Sequence, residues 1–244
     1  MLPRTKTSDF LHYLASINQS EQDKVRIPAL KDLSKELGTN IARLREQLEV
    51  ARALGLVDVS PRTGIHRRGY KFFPAVQQSL AYAIELDIKY FDHYSELRTH
   101  LEAAFWFEAV TRLTPDDHLE LRRLSECAWE KLQGPQIQIP HQEHRQLHLL
   151  VYKRLENPFV LGILEAYWDA YEAVGLNLYA GYDYLQEVWQ YHQEMVDCIC
   201  RGDFEAGYRS LVEHQDLLYH HPGHSILAGN GLHRNDTPKT IDDH

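Results

Sequence analysis

Two histidines, His144 and His148, stand four residues apart in the run HQEHRQLHLLVY, whose apolar residues fall at helical spacing. On a helix they project from one face, one turn apart, a common way for a single element to supply two metal ligands. His141 falls near the same face at the start of the run. His192 and His214 flank Gly202-Asp203 at a separation of 22 residues. A glycine suited to end one helix and an aspartate suited to cap the next make that dipeptide the corner of a helical hairpin, with the two histidines at corresponding points on its arms. Histidines gathered in this way can hold a divalent ion. The plainer reading of the same residues is a polar pocket without metal, and the rest of the 15 histidines read as core or surface.

The elements that must position these residues are helices. From about Pro74 onward the apolar spacing predicts helices over 78–86, 88–112, 116–132, 141–155, 158–176, 182–200 and 203–219, separated by Gly, Pro or polar breaks. After Pro222 the sequence is Gly-rich, polar and aperiodic, and it is expected to be disordered. Tyr167, Trp168, Tyr171, Tyr179, Tyr182, Tyr184 and Trp189 form an aromatic concentration that reads either as helix packing and dimer contact or as the wall of a ligand pocket.

The first 73 residues are written differently. Ser8 to Ile17 has helical spacing, NQSEQDK reads as a loop, and Pro28 precedes a short helix, ALKDLSKEL, that stops at Gly38. Asn40 can cap the next helix, IARLREQLEVARALG. Leu56 to Val59 then alternates as a strand, Pro61 to Gly64 turns, and His66 to Phe73 can return as the second strand of a hairpin. The expected fold is mainly α: a winged helix-turn-helix of three helices and a hairpin wing, followed by an all-α antiparallel bundle.

Charge divides at the same place. Residues 1–75 carry 13 Lys and Arg against 8 Asp and Glu, whereas residues 76–244 carry 13 against 27, within an overall charge of −9. A basic head would be drawn to phosphates and an acidic body repelled by them. No run of about 18 apolar residues exists to span a bilayer, and the N-terminus lacks the apolar stretch of a secretory signal, so a cytoplasmic protein is expected. Three cysteines, Cys127, Cys198 and Cys200, give no disulfide framework.

The run IPALKDLSKELGTNIARLREQLEVARALGLVDVSPRTG resembles the winged helix-turn-helix of GntR-family repressors over about residues 8–72. The resemblance places Lys31 and Arg45 at DNA-contacting arginine positions and Gly64 at the wing tip, while Ile41 stands where many members have a further arginine. Independently of it, Asn40, Arg43 and Arg45 lie in the first two turns of the helix that would face base edges. Lys31, Arg62, Arg67, Arg68 and Lys71, with His66 on the wing, would position the head on the backbone. The alternative is a set of solubilising charges on a protein-interaction wing.

Residues 90–219 resemble the FCD effector domain of the FadR subfamily, through the Arg98-Thr-His-Leu-Glu102 helix, His148 before Leu155-Glu-Asn157-Pro158, and the stretch from His192 to His214. In that family an aspartate and three histidines bind a divalent metal. The resemblance makes His148, His192 and His214 ligands, with His144 in the aspartate's place. That substitution shifts preference toward zinc or nickel and away from magnesium or manganese. It leaves Glu143 or Glu102 as outer-shell partners. The metal helps hold a small carboxylate effector, which Arg98 would grip through its planar fork. Asn157 would either contact the effector or cap the following helix.

The implied organisation is a DNA-binding domain at 1–73, a connecting helix at 74–90, an effector-binding and dimerisation domain at 91–221, and a tail at 222–244. The implied function is a homodimeric repressor on an inverted-repeat operator, with no membrane partner. A metal-dependent enzyme built on the histidines is the alternative from another class, and no residue offers itself as its nucleophile. A regulator with a vestigial sensor is the other.

Overall fold

Polar caps start two of the three helices of the head in the computed structural model, which describes residues 8–17, 25–175 and 181–220. Ser8 accepts the Leu11 N–H to open α1 (Asp9–Ser16), and Asn40 accepts the Arg43 N–H at 2.8 Å to open α3 (Ile41–Ala53). Between them lies α2 (Leu30–Glu36), followed by Gly38 at φ +63°, a left-handed conformation that a side chain would strain. Phe10, Leu14, Leu33, Leu44 and Leu48 from the three helices share one core.

The head's sheet has one strand more than expected. β1 (Val25–Ile27) pairs antiparallel with β3 (Gly64–Arg67), which pairs with β2 (Val57–Ser60) on its other edge, so Ile27 and Val59 both lie opposite Ile65. Three residues are too few for a period-two pattern to register, and β1 leaves no such trace in the sequence. β3 also ends at Arg67 rather than reaching Phe73, because α4 (Phe73–Leu86) begins there, with Pro74 in its first turn.

The body consists of α5 (Lys89–Val110), α6 (Pro115–Gln133), α7 (His141–Tyr152), α8 (Pro158–Ala173), α9 (Tyr182–Arg201) and α10 (Phe204–His220). Trp106, Leu121, Leu132, Leu147, Leu164 and Val196 meet in its core. A capping box between Thr114 and Asp117 opens α6. Burial alone would raise the Asp117 pKa, but hydrogen bonds from Arg154, Lys153 and Thr114 hold it well below the usual carboxylate range and pin α6 to the end of α7. At the far end Gly202 closes α9 at φ +77°, and Asp203 accepts the Ala206 N–H at 3.1 Å, so α10 folds back along α9. No helix among the described residues is long and apolar enough to cross a membrane. The tail from 222 onward lies outside the described residues.

Helix α4 touches both parts. A Cβ built on Gly55 would fall 2.6 Å from the Pro74 ring, and Gln78 Nε2 donates to the Ala53 carbonyl at 3.0 Å, which seats α4 against the end of α3. On its other side, a Cβ on Gly162 of α8 would fall 2.7 Å from the Phe73 nitrogen and 2.9 Å from Phe72 Cβ. The crossing is close enough that the obstacle is backbone. Gly162→Ala should therefore lose about 1–2 kcal/mol, because a backbone obstacle puts the overpacking cost in the upper part of its usual range, at about 2–3 kcal/mol, and helix propensity returns about 1 kcal/mol. Urea unfolding would show this as a lower midpoint at unchanged slope, and unchanged stability would mean the helices separate freely.

Candidate metal centre

Three helices bring the four histidines together. His144 and His148 come from α7, His192 from α9 and His214 from α10, and one ring nitrogen from each lies within 4.8 Å of all the others. The i,i+4 spacing on α7 and the Gly202 corner between α9 and α10 place them there. The rings of His192 and His214 are 4.3 Å apart, and Trp168 of α8 stands 4.6 Å from His144. His148, His192 and His214 are at most 1% exposed, and His144 is 9% exposed.

Hydrogen bonds aim two of the rings. His192 Nδ1 lies 2.8 Å from the Val188 carbonyl, which can only accept, so this nitrogen carries the proton and Nε2 turns its lone pair inward. His148 Nε2 lies 2.9 Å from that His192 Nε2. His148 Nδ1 sits between the Arg98 guanidinium at 2.9 Å, a donor, and Glu102 Oε1 at 3.2 Å, an acceptor. With the proton on Nε2, His148 bridges to His192 and accepts from Arg98. With the proton on Nδ1 it donates to Glu102, and both Nε2 atoms are free as ligands.

The donor set fits a divalent metal. His144 Nε2 and both nitrogens of His214 are buried without a hydrogen-bond partner, a condition that costs about 1–3 kcal/mol per group and that coordination would relieve at His144 and at one nitrogen of His214. Burial first, then the neighbouring imidazoles and Arg98, pushes His144 and His214 well below their ordinary pKa. His192 is depressed by burial and by His148, and His148 by burial against the opposing pull of Glu102. Neutral imidazoles are the form that binds metal.

Beneath the histidines, α5 supplies a buried ion pair. Arg98 meets Glu102 at 2.9 Å with side chains 1% and 0% exposed, Gln215 of α10 donates to Glu102 at 3.1 Å, and the guanidinium lies 4.8 Å from the Tyr167 ring centre and 5.5 Å from that of Trp168. Burial opposes both charges, yet mutual attraction keeps Arg98 raised and Glu102 lowered. Of the two expected outer-shell carboxylates, Glu102 meets His148, while Glu143 is engaged with Lys131 at 2.7 and 2.8 Å. Asn157 caps α8, accepting from Phe159 and Val160 at 3.1 and 3.3 Å. Gln215 was not among the expected site residues, and its position directly after His214 was the available signal.

In the head, Lys31, Asn40, Arg43, Arg45 and Arg62 are exposed. Asn40 uses its side-chain oxygen as the cap of α3, and Arg43 lies 3.5 Å from Asp9. Gly64 takes φ +85° at the wing turn, beside half-buried His66. Arg67 instead reaches back to the Ile17 carbonyl at 2.7 Å, tying the wing to α1, and Arg68 pairs with Asp58 at 3.4 Å. Lys71 is exposed beyond β3.

The chain matches the FCD domain family over residues 94–217 and belongs to it, within the FadR-like GntR regulators, a family of transcriptional regulators rather than enzymes. Its fold is that of the Streptococcus agalactiae GntR structure, with a TM-score of 0.64 at 15% identity, covering 86% of this chain and 94% of that one. E. coli McbR/YncC aligns at 21% identity over 84% of this chain and 89% of its own, with a TM-score of 0.48. A GntR-family transcriptional regulator from Pseudomonas syringae pv. tomato aligns at 15% identity over 82% and 76%, with a TM-score of 0.42. No curated protein sequence matches the chain.

The ion pair makes a stability prediction. In metal-free protein, Glu102→Ala strands the Arg98 guanidinium and should cost about 3–5 kcal/mol, while an Arg98→Met/Glu102→Met double variant should recover most of that loss. Urea unfolding of the three proteins checks it, and a double variant no more stable than the single would show the two charges to be uncoupled.

Proposed function

We propose that this chain is a homodimeric DNA-binding repressor that presents two winged heads to an inverted-repeat operator, and that its histidine centre takes a zinc or nickel ion. The observation that carries the reading is the pairing of an exposed basic recognition helix with a buried, under-satisfied ligand cluster in one chain, joined by α4. The ion would supply a fixed positive charge and join α7, α9 and α10. The homodimer is favoured by an apolar groove of about 490 Å³ between α4 and α5, with Tyr90, Tyr94 and Leu97 on its α5 side. Tyr82 and Leu86, at 65% and 64% exposure, extend the apolar face of α4.

Arg45 and Lys31 are free to meet DNA by exposure and Arg43 is exposed beside Asp9, whereas Arg67 acts in holding the wing to α1. A chain of contacts leads from the sensor to the head. Arg145, next to His144 on α7, pairs with Asp169 of α8 at 2.6 Å, and Asp169 accepts from Gln77 of α4 at 2.6 Å. The adjacent Gln78 holds the end of α3. Linkage requires only that ligand favour one setting of α4 over another.

A small carboxylate, the effector implied by the resemblance, would meet Arg98 already engaged by Glu102. Operator DNA can be selected from a random pool by the purified full chain. Arg45→Ala should then lower its affinity for that operator by about 10- to 100-fold, from about 1–3 kcal/mol per base contact, with an unchanged circular dichroism spectrum. A mobility-shift titration showing wild-type affinity would remove α3 from the recognition role.

A further inference from the structure

We propose that the metal ion is itself the signal this sensor reads, with no organic ligand required beside it. The inference rests on the reading above, a DNA-binding regulator with a metal at its histidines, and goes beyond it by naming what is sensed.

Size is the first argument. The cavity that reaches His144, bounded by Pro140, His141, Tyr171, Tyr184 and Trp189, has a volume of about 20 Å³. That is room for about one water molecule, which needs roughly 10–15 Å³, whereas pockets for organic ligands run to about 300–1,000 Å³. Larger cavities lie between α4 and α5 and at the wing.

Charge is the second. Arg98, the cation next to the cluster, is matched by Glu102, and its guanidinium lies against Tyr167 and Trp168. Arg98 therefore offers an incoming carboxylate its unpartnered Nε but not a free two-donor fork, because Glu102 already holds the guanidinium. The lining of the small cavity contains no Lys or Arg to take over that role.

Ligand chemistry is the third. Four imidazoles from three helices can complete a four-coordinate shell without any group from outside the protein. Imidazole nitrogens select zinc, nickel, copper or cobalt over magnesium and manganese, which take oxygen ligands. An ion bound by His144, His148, His192 and His214 fixes α7 against the α9–α10 hairpin. Arg145, one residue from His144, carries that constraint to Asp169 and Gln77.

The test uses the full chain, tag-free and stripped with chelator, on its selected operator. Zinc(II), nickel(II), manganese(II) and magnesium(II) are each added alone and with a panel of mono-, di- and sugar carboxylates. Bound metal is measured by equilibrium dialysis, and DNA affinity by fluorescence anisotropy. Zinc or nickel alone should change operator affinity by about 5- to 150-fold, the acids should add nothing, and manganese and magnesium should be inert. His144→Asp should shift the retained metal toward manganese. Asp169→Ala should bind zinc as wild type does and lose most of the change in DNA affinity.

A metal that binds stoichiometrically but alters DNA affinity only when an acid is present overturns the proposal and leaves the metal centre standing. Failure to retain any metal overturns both. Failure of metal-free and metal-loaded protein alike to select any DNA rejects the regulator reading itself, independently of the dialysis result.

Discussion

Four imidazoles, a guanidinium and a carboxylate occupy the interior of a helical bundle, and the need to satisfy them there governs the rest of the body. Charged groups so placed are tolerated when they are paired, and the bundle supplies partners for the ion pair from several helices at once while leaving His144 and His214 under-satisfied. Glu102 receives Arg98 from its own helix, His148 from α7 and Gln215 from α10. Tyr152 closes the arrangement by donating to the Glu102 carbonyl at 2.9 Å. The aromatic shell of Tyr167, Trp168 and Trp189 keeps water away, and so sharpens every interaction inside it.

The histidine cluster was largely legible in the sequence because its parts are local. The step from His144 to His148 is one helical turn, and the corner at Gly202-Asp203 announces itself by residue type. What the sequence could not convey was the state of each group. Arg98 reads as a free fork for a ligand until the fold brings Glu102, Tyr167 and Trp168 against it. Asn157 has an open role until the two N–H groups it accepts are in view. Glu143 sits one residue from His144 yet turns to Lys131, a choice made by the packing of α6 on α7 and not by spacing.

The fold was legible for the same reason and failed where that reason lapses. Helices of 12 to 22 residues in the body declare their period, and each was placed to within a few residues. The strand Val25–Ile27 is too short to show a pattern, and its place in the sheet is set by Arg67, His66 and Ile65 some forty residues on. Arg67 itself looked like a phosphate contact, but its carbonyl partner lies fifty residues away in sequence. Long-range pairing of this kind decides which basic residues remain available to a partner, and composition does not contain it.

The left-handed corner at Gly202 bears on how such a chain can change over time. Each residue added to or removed from a helix turns everything beyond it by about 100°. His192 and His214 face one another only because the arm lengths on either side of the corner are in phase. The spacing between those two histidines is therefore as much a constraint as their identity. The hairpin works as a ruler, and a single inserted residue would separate the two imidazoles without altering either side chain.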